Sequence, residues 1–114
     1  MEKLVLNIKG NSYEISCPNV SQFQTIESMK QVLSKGMYAG LMSTTTLSAY
    51  EVLDMVDMES YFSVLCPKLL NDLQCKSFGE LGLMDYMEFK KIYQDDFMPW
   101  WNSILKILRP DAKE

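Results

Sequence analysis

The sequence predicts a mostly helical α+β fold, in which an N-terminal two-stranded β-hairpin packs on a bundle of about four helices. Alternating apolar and polar residues on both sides of a glycine turn predict the hairpin. Apolar residues at helical spacing predict helices over most of the remaining chain. The 114 residues are 47% hydrophobic, which suffices for one core. We therefore expect a single compact domain over residues 1–108 and a frayed C-terminal tail over residues 109–114.

The hairpin is predicted over Met1–Ser16. Apolar residues alternate with their neighbours on both sides of Gly10-Asn11, a dipeptide that is typical of turns. The inward-facing positions would be Leu4, Leu6, Ile8, Tyr13, Ile15 and Cys17. Because an isolated hairpin is marginally stable in water, we expect its apolar face to pack on the helices that follow.

The first helix is predicted to begin at a capping box formed by Ser21 and Gln24. Gly36 is placed to end this helix as a left-handed residue just past its last turn. Residues 36–46 contain scattered apolar side chains, two glycines and a run of serine and threonine. We interpret them as a short turn of helix followed by a polar linker.

A second long helix is predicted to begin at a capping box of Ser48 and Glu51. Its apolar spacing is compatible with a break near Asp57–Ser60. Pro67 lacks an N–H donor and should end or kink the helix at Cys66.

The stretch Asp85–Leu108 holds both tryptophans and is expected to be the last helical unit. Asp85 and Glu88 have the spacing of a capping box. Pro99 disfavours the α-helical conformation for Met98, the residue before it. We therefore expect the helix to break or kink at this proline, with a new turn after it.

The candidate partner-binding residues are Met37, Met42, Met98, Trp100 and Trp101. Adjacent helical residues point about 100° apart, so one indole should pack inside while the other lies half exposed at the rim. The alternative is that the outer indole binds a partner protein, as tryptophans often do. Nine methionines either fill an irregular core or line a groove for apolar segments of another chain.

No catalytic, cofactor or metal site is expected. Histidine is absent, so neither a Cys–His pair nor a histidine metal ligand can form. The three cysteines, Cys17, Cys66 and Cys75, have no paired spacing and are interpreted as reduced, buried or semi-buried thiols. The acidic residues of the second long helix lack the glycine and the alternation of a calcium loop, so we interpret them as a solvated face: Glu51, Asp54, Asp57 and Glu59.

The charge balance bears on the partners. A formal net charge of −4 argues against a nucleic-acid binder and against docking on an anionic membrane. No apolar run reaches the roughly 18 residues that a membrane span needs. The N-terminus does not resemble a signal peptide, so the cytoplasm, or a particle built there, is the expected location.

The hairpin has the form Leu6-Asn7-Ile8-Lys9-Gly10-Asn11-Ser12-Tyr13-Glu14-Ile15 and precedes a compact set of helices. In an acidic chain of this size, that architecture resembles the small tail assembly chaperones and related small tail or virion proteins of tailed bacteriophages. The resemblance covers most of the chain and carries over no individual functional residues. It implies a protein that binds other phage structural or assembly proteins without catalysis, in the host cytoplasm or within the virion.

The resemblance leaves several readings open. The chain would be either an assembly chaperone or a small structural component. It would form either a homo-oligomer, or a monomer or dimer that binds another chain. The alternative from a different class is a cytoplasmic adaptor or regulatory domain that binds one protein or peptide through a Met/Trp-rich apolar surface. The lack of a matched catalytic pair favours both over an enzyme.

Overall fold

The computed structural model describes residues 3–75 and 77–109. It confirms a mostly helical fold with an N-terminal antiparallel hairpin. In chain order the elements are β1 Leu4–Ile8, β2 Asn11–Ile15, α1 Val20–Leu33, α2 Tyr38–Ser43, α3 Leu47–Leu65, α4 Pro67–Asp72, a 3-10 turn at Phe78–Glu80, α5 Leu83–Ile92, a π-helical turn at Tyr93–Phe97 and α6 Met98–Leu108.

The chain divides into two compact units. Among the described residues, unit 1 comprises 3–17 and 82–109, and unit 2 comprises 18–75 and 77–81. The single domain expected over residues 1–108 stays a prediction. Of the expected frayed tail, Arg109 is exposed and residues 110–114 lie outside the described residues, as do residues 1 and 2 of the predicted hairpin.

Unit 1 is built from the hairpin and the last helical stretch. The strands pair antiparallel with Leu6 opposite Tyr13, so alternate side chains share one face. That face packs on α5 and the π-helical turn through β1. The buried apolar residues of unit 1 are Leu6, Ile8, Tyr13, Ile15, Tyr86, Phe89, Tyr93, Phe97, Trp101 and Ile104.

The hairpin turn lies one residue earlier than predicted. Ile8 pairs with Asn11, so the two loop residues are Lys9 and Gly10 rather than Gly10 and Asn11. Their φ angles are 49° and 81°, both in the left-handed region that a two-residue turn of the primed type requires. Lys9 is an uncommon residue for this conformation, which is why the sequence pointed to the glycine and asparagine instead.

The chain stays helical across Pro99, so the predicted break is absent, but the predicted new turn is present: the π-helical turn ends at Phe97 and α6 begins at Met98 with Pro99 in its first turn. Met98 keeps helical angles, with φ −62° and ψ −41°, and its N–H donates to the carbonyl of Tyr93 in an i to i+5 bond. This π-helical turn inserts one extra residue ahead of the proline. The wider turn relieves the contact between the pyrrolidine ring and the preceding carbonyls, so α5 runs through into α6.

The predicted capping box at the start of this helix is also wrong. The helix begins at Leu83 with Gly82 as its N-cap, and no side chain caps it. Asp85 instead receives a hydrogen bond from Lys9, with 2.8 Å between Nζ and Oδ1. The carboxylate predicted to cap the helix therefore connects α5 to the hairpin turn.

Unit 2 is a helical assembly in which α3 contacts α1, α2 and α4. The N-cap of α1 is Asn19, not Ser21: its side chain accepts from the Gln22 N–H over 2.8 Å, and Gln22 reciprocates over 3.0 Å. Thr46 caps α3 in place of Ser48. The buried apolar residues of unit 2 are Ile26, Ala49, Val56, Met58, Tyr61, Phe62, Cys66, Leu69, Leu70 and Phe78.

The C-terminal ends of α1 and α3 lie at or next to the residues predicted for them. Lys35, with φ 56°, holds the left-handed position assigned to Gly36, and Gly36 follows with φ 77°. The Gly36 N–H donates to the Gln31 carbonyl over 2.8 Å, which completes a Schellman motif. Helix α3 has no break at residues 57–60, where the apolar spacing had allowed one. Its last residue is Leu65 and its C-cap is Cys66, directly before Pro67, as predicted.

Candidate functional site

An aromatic cluster surrounds Phe97 in unit 1. The Phe97 ring stacks on Tyr93 and on Trp101, with centroid distances of 5.6 and 5.9 Å, and meets Trp100 at a tilt over 5.8 Å. Trp101 is 1% exposed, whereas Trp100 is half-buried. The prediction that one indole packs inside and the other lies at the rim is confirmed. The buried rings of Phe97 and Trp101 therefore pack against one side of the Trp100 indole.

Beyond this cluster, α6 carries uncovered apolar side chains. Ile107 is 68% exposed and Leu108 is also exposed, although Ile104 one turn earlier is buried. Trp100 and Ile107 are seven residues apart and so lie on the same side of the helix. Leu108 follows the buried Trp101 by seven residues and so extends the adjoining, core-facing side past the part that the core covers. We call Trp100, Ile107 and Leu108 the α6 apolar edge.

The structure does not bring the predicted partner-binding residues together on one element. Met98 is half-buried and lines a shallow depression on the polar side of α6, away from Trp100. Met37 and Met42 belong to unit 2, where both are exposed at α2, an element without any buried residue. The partner-binding role of all five residues stays a prediction.

Sequence reasoning missed a buried polar cluster in unit 2. Lys30 is only 8% exposed, and its Nζ lies 2.8 Å from Glu27 Oε2 and donates to Tyr61 Oη over 3.0 Å. Tyr38 donates to Asp57 Oδ1 over 2.6 Å, and this oxygen lies 4.0 Å from Lys30 Nζ. The cluster therefore connects α1, α2 and α3.

Aromatic rings complete the surroundings of the buried ammonium. Lys30 Nζ lies 4.6 Å from the ring centroid of Tyr61 and 5.5 Å from that of Tyr38. Both distances allow a cation–π interaction. The one signal in the sequence is that Lys30 follows Ile26 by four residues, which places it on the apolar side of α1.

The electrostatics of the cluster favour fixed protonation states. Burial lowers the pKa of Lys30, but Tyr61, Glu27 and Asp57 outweigh burial, so this pKa lies above its ordinary value. Burial, reinforced by Asp57, raises the pKa of Tyr38. Lys30 is therefore charged and Tyr38 is a protonated donor at neutral pH, an arrangement suited to holding helices together rather than to proton transfer.

The acidic residues of α3 do not form the fully solvated face that was predicted. The Asp57 side chain is 15% exposed, and burial raises its pKa although Tyr38 and Lys30 oppose this shift. Glu59 is half-buried and accepts a hydrogen bond from the backbone N–H of Phe78 over 3.1 Å. Both carboxylates are thus used within unit 2, because neighbouring elements cover this part of α3.

The cysteines differ in exposure. Cys66 is buried, which raises the pKa of its thiol, and Cys75 is half-buried. Cys17 is exposed, so the prediction of a buried or semi-buried thiol is wrong there. The physical reason is that β2 ends at Ile15, before the alternation could carry Cys17 inward.

Comparison with protein-family models finds no matching model, and comparisons with curated proteins and with solved structures find no significant match. Within residues 3–75 and 77–109, no helix combines the length and the apolar character that a membrane crossing demands. The same residues contain no group of three or more side chains placed to share a metal ion.

Proposed function

We propose that this chain is a non-enzymatic protein-interaction protein of a tailed phage that acts in tail or virion assembly. It serves there as an assembly chaperone or as a small structural component. The observation that carries the proposal is the α6 apolar edge, where Trp100, Ile107 and Leu108 continue the apolar side of a helix beyond the part that the core covers.

The edge has the features of a protein-binding helix. Amphipathic helices commonly insert apolar side chains at such spacing into a groove of a partner. The Trp100 indole already packs against Phe97 and Trp101. Binding would therefore cost little additional side-chain entropy at this residue. On the opposite side α6 carries Asn102 and Lys106, and Ser103 borders Trp100 and Ile107 on one flank, so polar residues limit the width of the apolar contact.

The phage context of the proposal comes from the architectural resemblance. The features on which the resemblance rests, a hairpin over Leu4–Ile15 and a set of helices after it, are present in the fold. The occupant of the α6 apolar edge would be a hydrophobic segment of another phage structural or assembly protein, met in the host cytoplasm.

The test is Ile107→Asp in the phage that encodes the chain, with Val32→Asp as the matched control. Val32 lies on α1 of unit 2 and is 75% exposed, close to the 68% of Ile107. We expect Ile107→Asp to lower the yield of tailed particles at least about tenfold, the effect of roughly 1.4 kcal/mol lost in binding. Val32→Asp should leave the yield unchanged, and circular dichroism should show both variants folded.

Mass spectrometry of purified particles then separates the two roles. A chaperone should be absent from the finished particle, whereas a structural component should be present in a fixed copy number. An unchanged yield of tailed particles from a folded Ile107→Asp variant would overturn the proposal.

A further inference from the structure

The polar cluster of unit 2 has the composition of a binding site for a single cation. The ammonium of Lys30 lies 2.8 Å from Glu27 Oε2, 3.0 Å from Tyr61 Oη and 4.0 Å from Asp57 Oδ1. The ring centroid of Tyr38 lies 5.5 Å from the same nitrogen. Three oxygens and an aromatic ring, contributed by three helices, thus surround one nitrogen. We call the four surrounding residues, Glu27, Tyr38, Asp57 and Tyr61, the ammonium cage.

The charge of the cage requires a cation inside it. Its two carboxylates, Glu27 and Asp57, face the single ammonium of Lys30. The Asp57 side chain is only 15% exposed, and a buried charge is costly unless an opposite charge accompanies it. Tyr38 donates a hydrogen bond to Asp57, but a neutral hydroxyl cannot balance its charge. Without a cation, the cage would therefore oppose the packing of α1, α2 and α3.

The contacts fit a primary ammonium better than other organic cations. An ammonium is compact and has three N–H donors, and the oxygens of Glu27 and Tyr61 lie at hydrogen-bonding distance from Lys30 Nζ. A guanidinium is planar and binds best to a fork of acceptors in its own plane. A quaternary ammonium could use the ring of Tyr38, but it has no N–H to donate to the oxygens.

Helix α2 closes the cage from one side. Tyr38 is the first residue of α2, and its hydroxyl donates to Asp57 Oδ1 over 2.6 Å while its ring lies over the ammonium. Because α2 contains no fully buried residue, the cation contributes directly to holding this helix on α3. Met37 and Met42 are exposed at α2, so an occupied cage also fixes where these two side chains are displayed.

We propose that the ammonium cage is a binding site for a primary alkylammonium, that Lys30 is its tethered ligand, and that α2 closes over whichever ammonium fills it. Tethering gives Lys30 a high effective concentration at the cage, so the wild-type chain keeps the cage filled without an external ligand. Shortening Lys30 opens the cage to a free ligand. The inference uses no residue of the α6 apolar edge and does not rest on the proposed function.

The test replaces the tethered ligand with a free one. Lys30→Ala removes the atoms from Cγ to Nζ, which together correspond to n-propylammonium. The Leu41 N–H of α2 donates to the Met37 carbonyl over 2.9 Å, and in Lys30→Ala its amide hydrogen exchange should speed up at least about tenfold. Adding n-propylammonium chloride should restore slow exchange, half-maximally at about 100 mM or less for a ligand of four heavy atoms.

Two solutes and two variants serve as controls. Potassium chloride at equal ionic strength and n-propanol at equal concentration should not restore slow exchange. Lys30→Met fills most of the same space without a charge, so its exchange should be fast and insensitive to n-propylammonium. Lys30→Ala combined with Asp57→Asn should need at least about tenfold more n-propylammonium than Lys30→Ala alone, because one of the two carboxylates is gone.

Four results would overturn the inference. Equal rescue by potassium chloride would show that salt suffices, and equal rescue by n-propanol would show that filling the space suffices. Unchanged α2 exchange in Lys30→Ala, or no rescue by n-propylammonium, would also contradict it. If Lys30→Ala does not fold, the same solutes are added during refolding, and n-propylammonium alone should restore the helical circular dichroism.

Discussion

Tyr38 donates its phenolic hydrogen to Asp57 Oδ1 over 2.6 Å, and this hydrogen bond connects α2 to α3. Helix α2 is six residues long and contains no buried residue, so it has little apolar packing of its own. The ring of Tyr38 also lies over the Lys30 ammonium. The polar cluster therefore contributes directly to the position of α2, together with the half-buried side chains of Tyr38 and Leu41.

Tyr38→Phe keeps the ring and removes this hydrogen bond. We expect a loss of about 1.5–3 kcal/mol in the free energy of unfolding, the range for hydrogen bonds to charged groups. Amide hydrogen exchange should speed up first in Tyr38–Ser43. Tyr50→Phe is the matched control, because Tyr50 is an exposed tyrosine on α3. Equal effects of the two substitutions would show that the Tyr38 hydroxyl does not fasten α2.

Asp57 gives unit 2 a defined pH dependence. Burial raises its pKa above the ordinary 3.8, which means that folding disfavours the ionised form. Its contribution to stability is therefore most favourable at low pH and declines as the pH rises from 3.8 through the raised pKa. Asp57→Asn cannot ionise and keeps an acceptor for Tyr38.

The measurement is urea denaturation of the wild type and Asp57→Asn across the acidic range. The unfolding free energy of the wild type should fall relative to that of the variant as the pH rises. The attraction between Asp57 and Lys30 is already included in the raised pKa, and any other effect of the amide adds a difference that does not depend on this titration. The comparison is therefore read from the slope above pH 3.8. If the unfolding free energy of the wild type instead rose relative to that of Asp57→Asn with increasing pH in this range, the raised pKa of Asp57 would be contradicted.

The elements were predictable where one pattern dominated. The pairing face of the hairpin follows from alternation, and α3 ends where Pro67 requires it. Helix starts were less predictable, because several capping residues lie close together. Asn19 and Ser21 both favour N-caps, and so do Thr46 and Ser48; in both cases the earlier residue caps the helix.

The buried polar cluster was beyond sequence reasoning for a different reason. Lys30 lies on an apolar stripe, but only the fold shows that α2 and α3 bring Tyr38, Asp57 and Tyr61 around it. Contacts between polar residues that are far apart in the chain produce no periodic pattern in a single sequence. That one indole is buried and its neighbour is half-buried was predictable, since adjacent helical residues diverge by about 100°. Which of the two faces the core was not, and the fold shows that it is Trp101.

The two tryptophans should differ strongly in their contribution to stability. Trp101 is fully buried and stacks on Phe97, so Trp101→Ala should cost about 3–5 kcal/mol. Trp100 is half-buried, and Trp100→Ala should cost roughly half as much, in proportion to the apolar area that it buries. Urea denaturation followed by circular dichroism measures both. Equal costs would mean that Trp100 belongs to the core rather than to the α6 apolar edge.

The π-helical turn makes one position in the last helix deletable. It holds one residue more than an α-helical turn, so removing the exposed Asp95 should yield a regular helix that still directs Trp101 into the core. Removing the exposed Lys91 from the regular part of α5 shifts the following residues by about 100°. Whichever way the chain adjusts, that deletion turns either Tyr93 or Trp101 out of the core.

Both deletions belong in a Pro99→Ala background, because a proline inside a regular helix would add a cost of about 3 kcal/mol by itself. There we expect the Asp95 deletion to change the unfolding free energy by about 1 kcal/mol or less. The Lys91 deletion should cost about 3–5 kcal/mol, as expected for the loss of a buried aromatic ring. Trp emission during urea denaturation reports both. If the Asp95 deletion cost as much as the Lys91 deletion, the extra residue of the π turn would be required by the packing of Tyr93 and Phe97 themselves, which contact the hairpin through this turn.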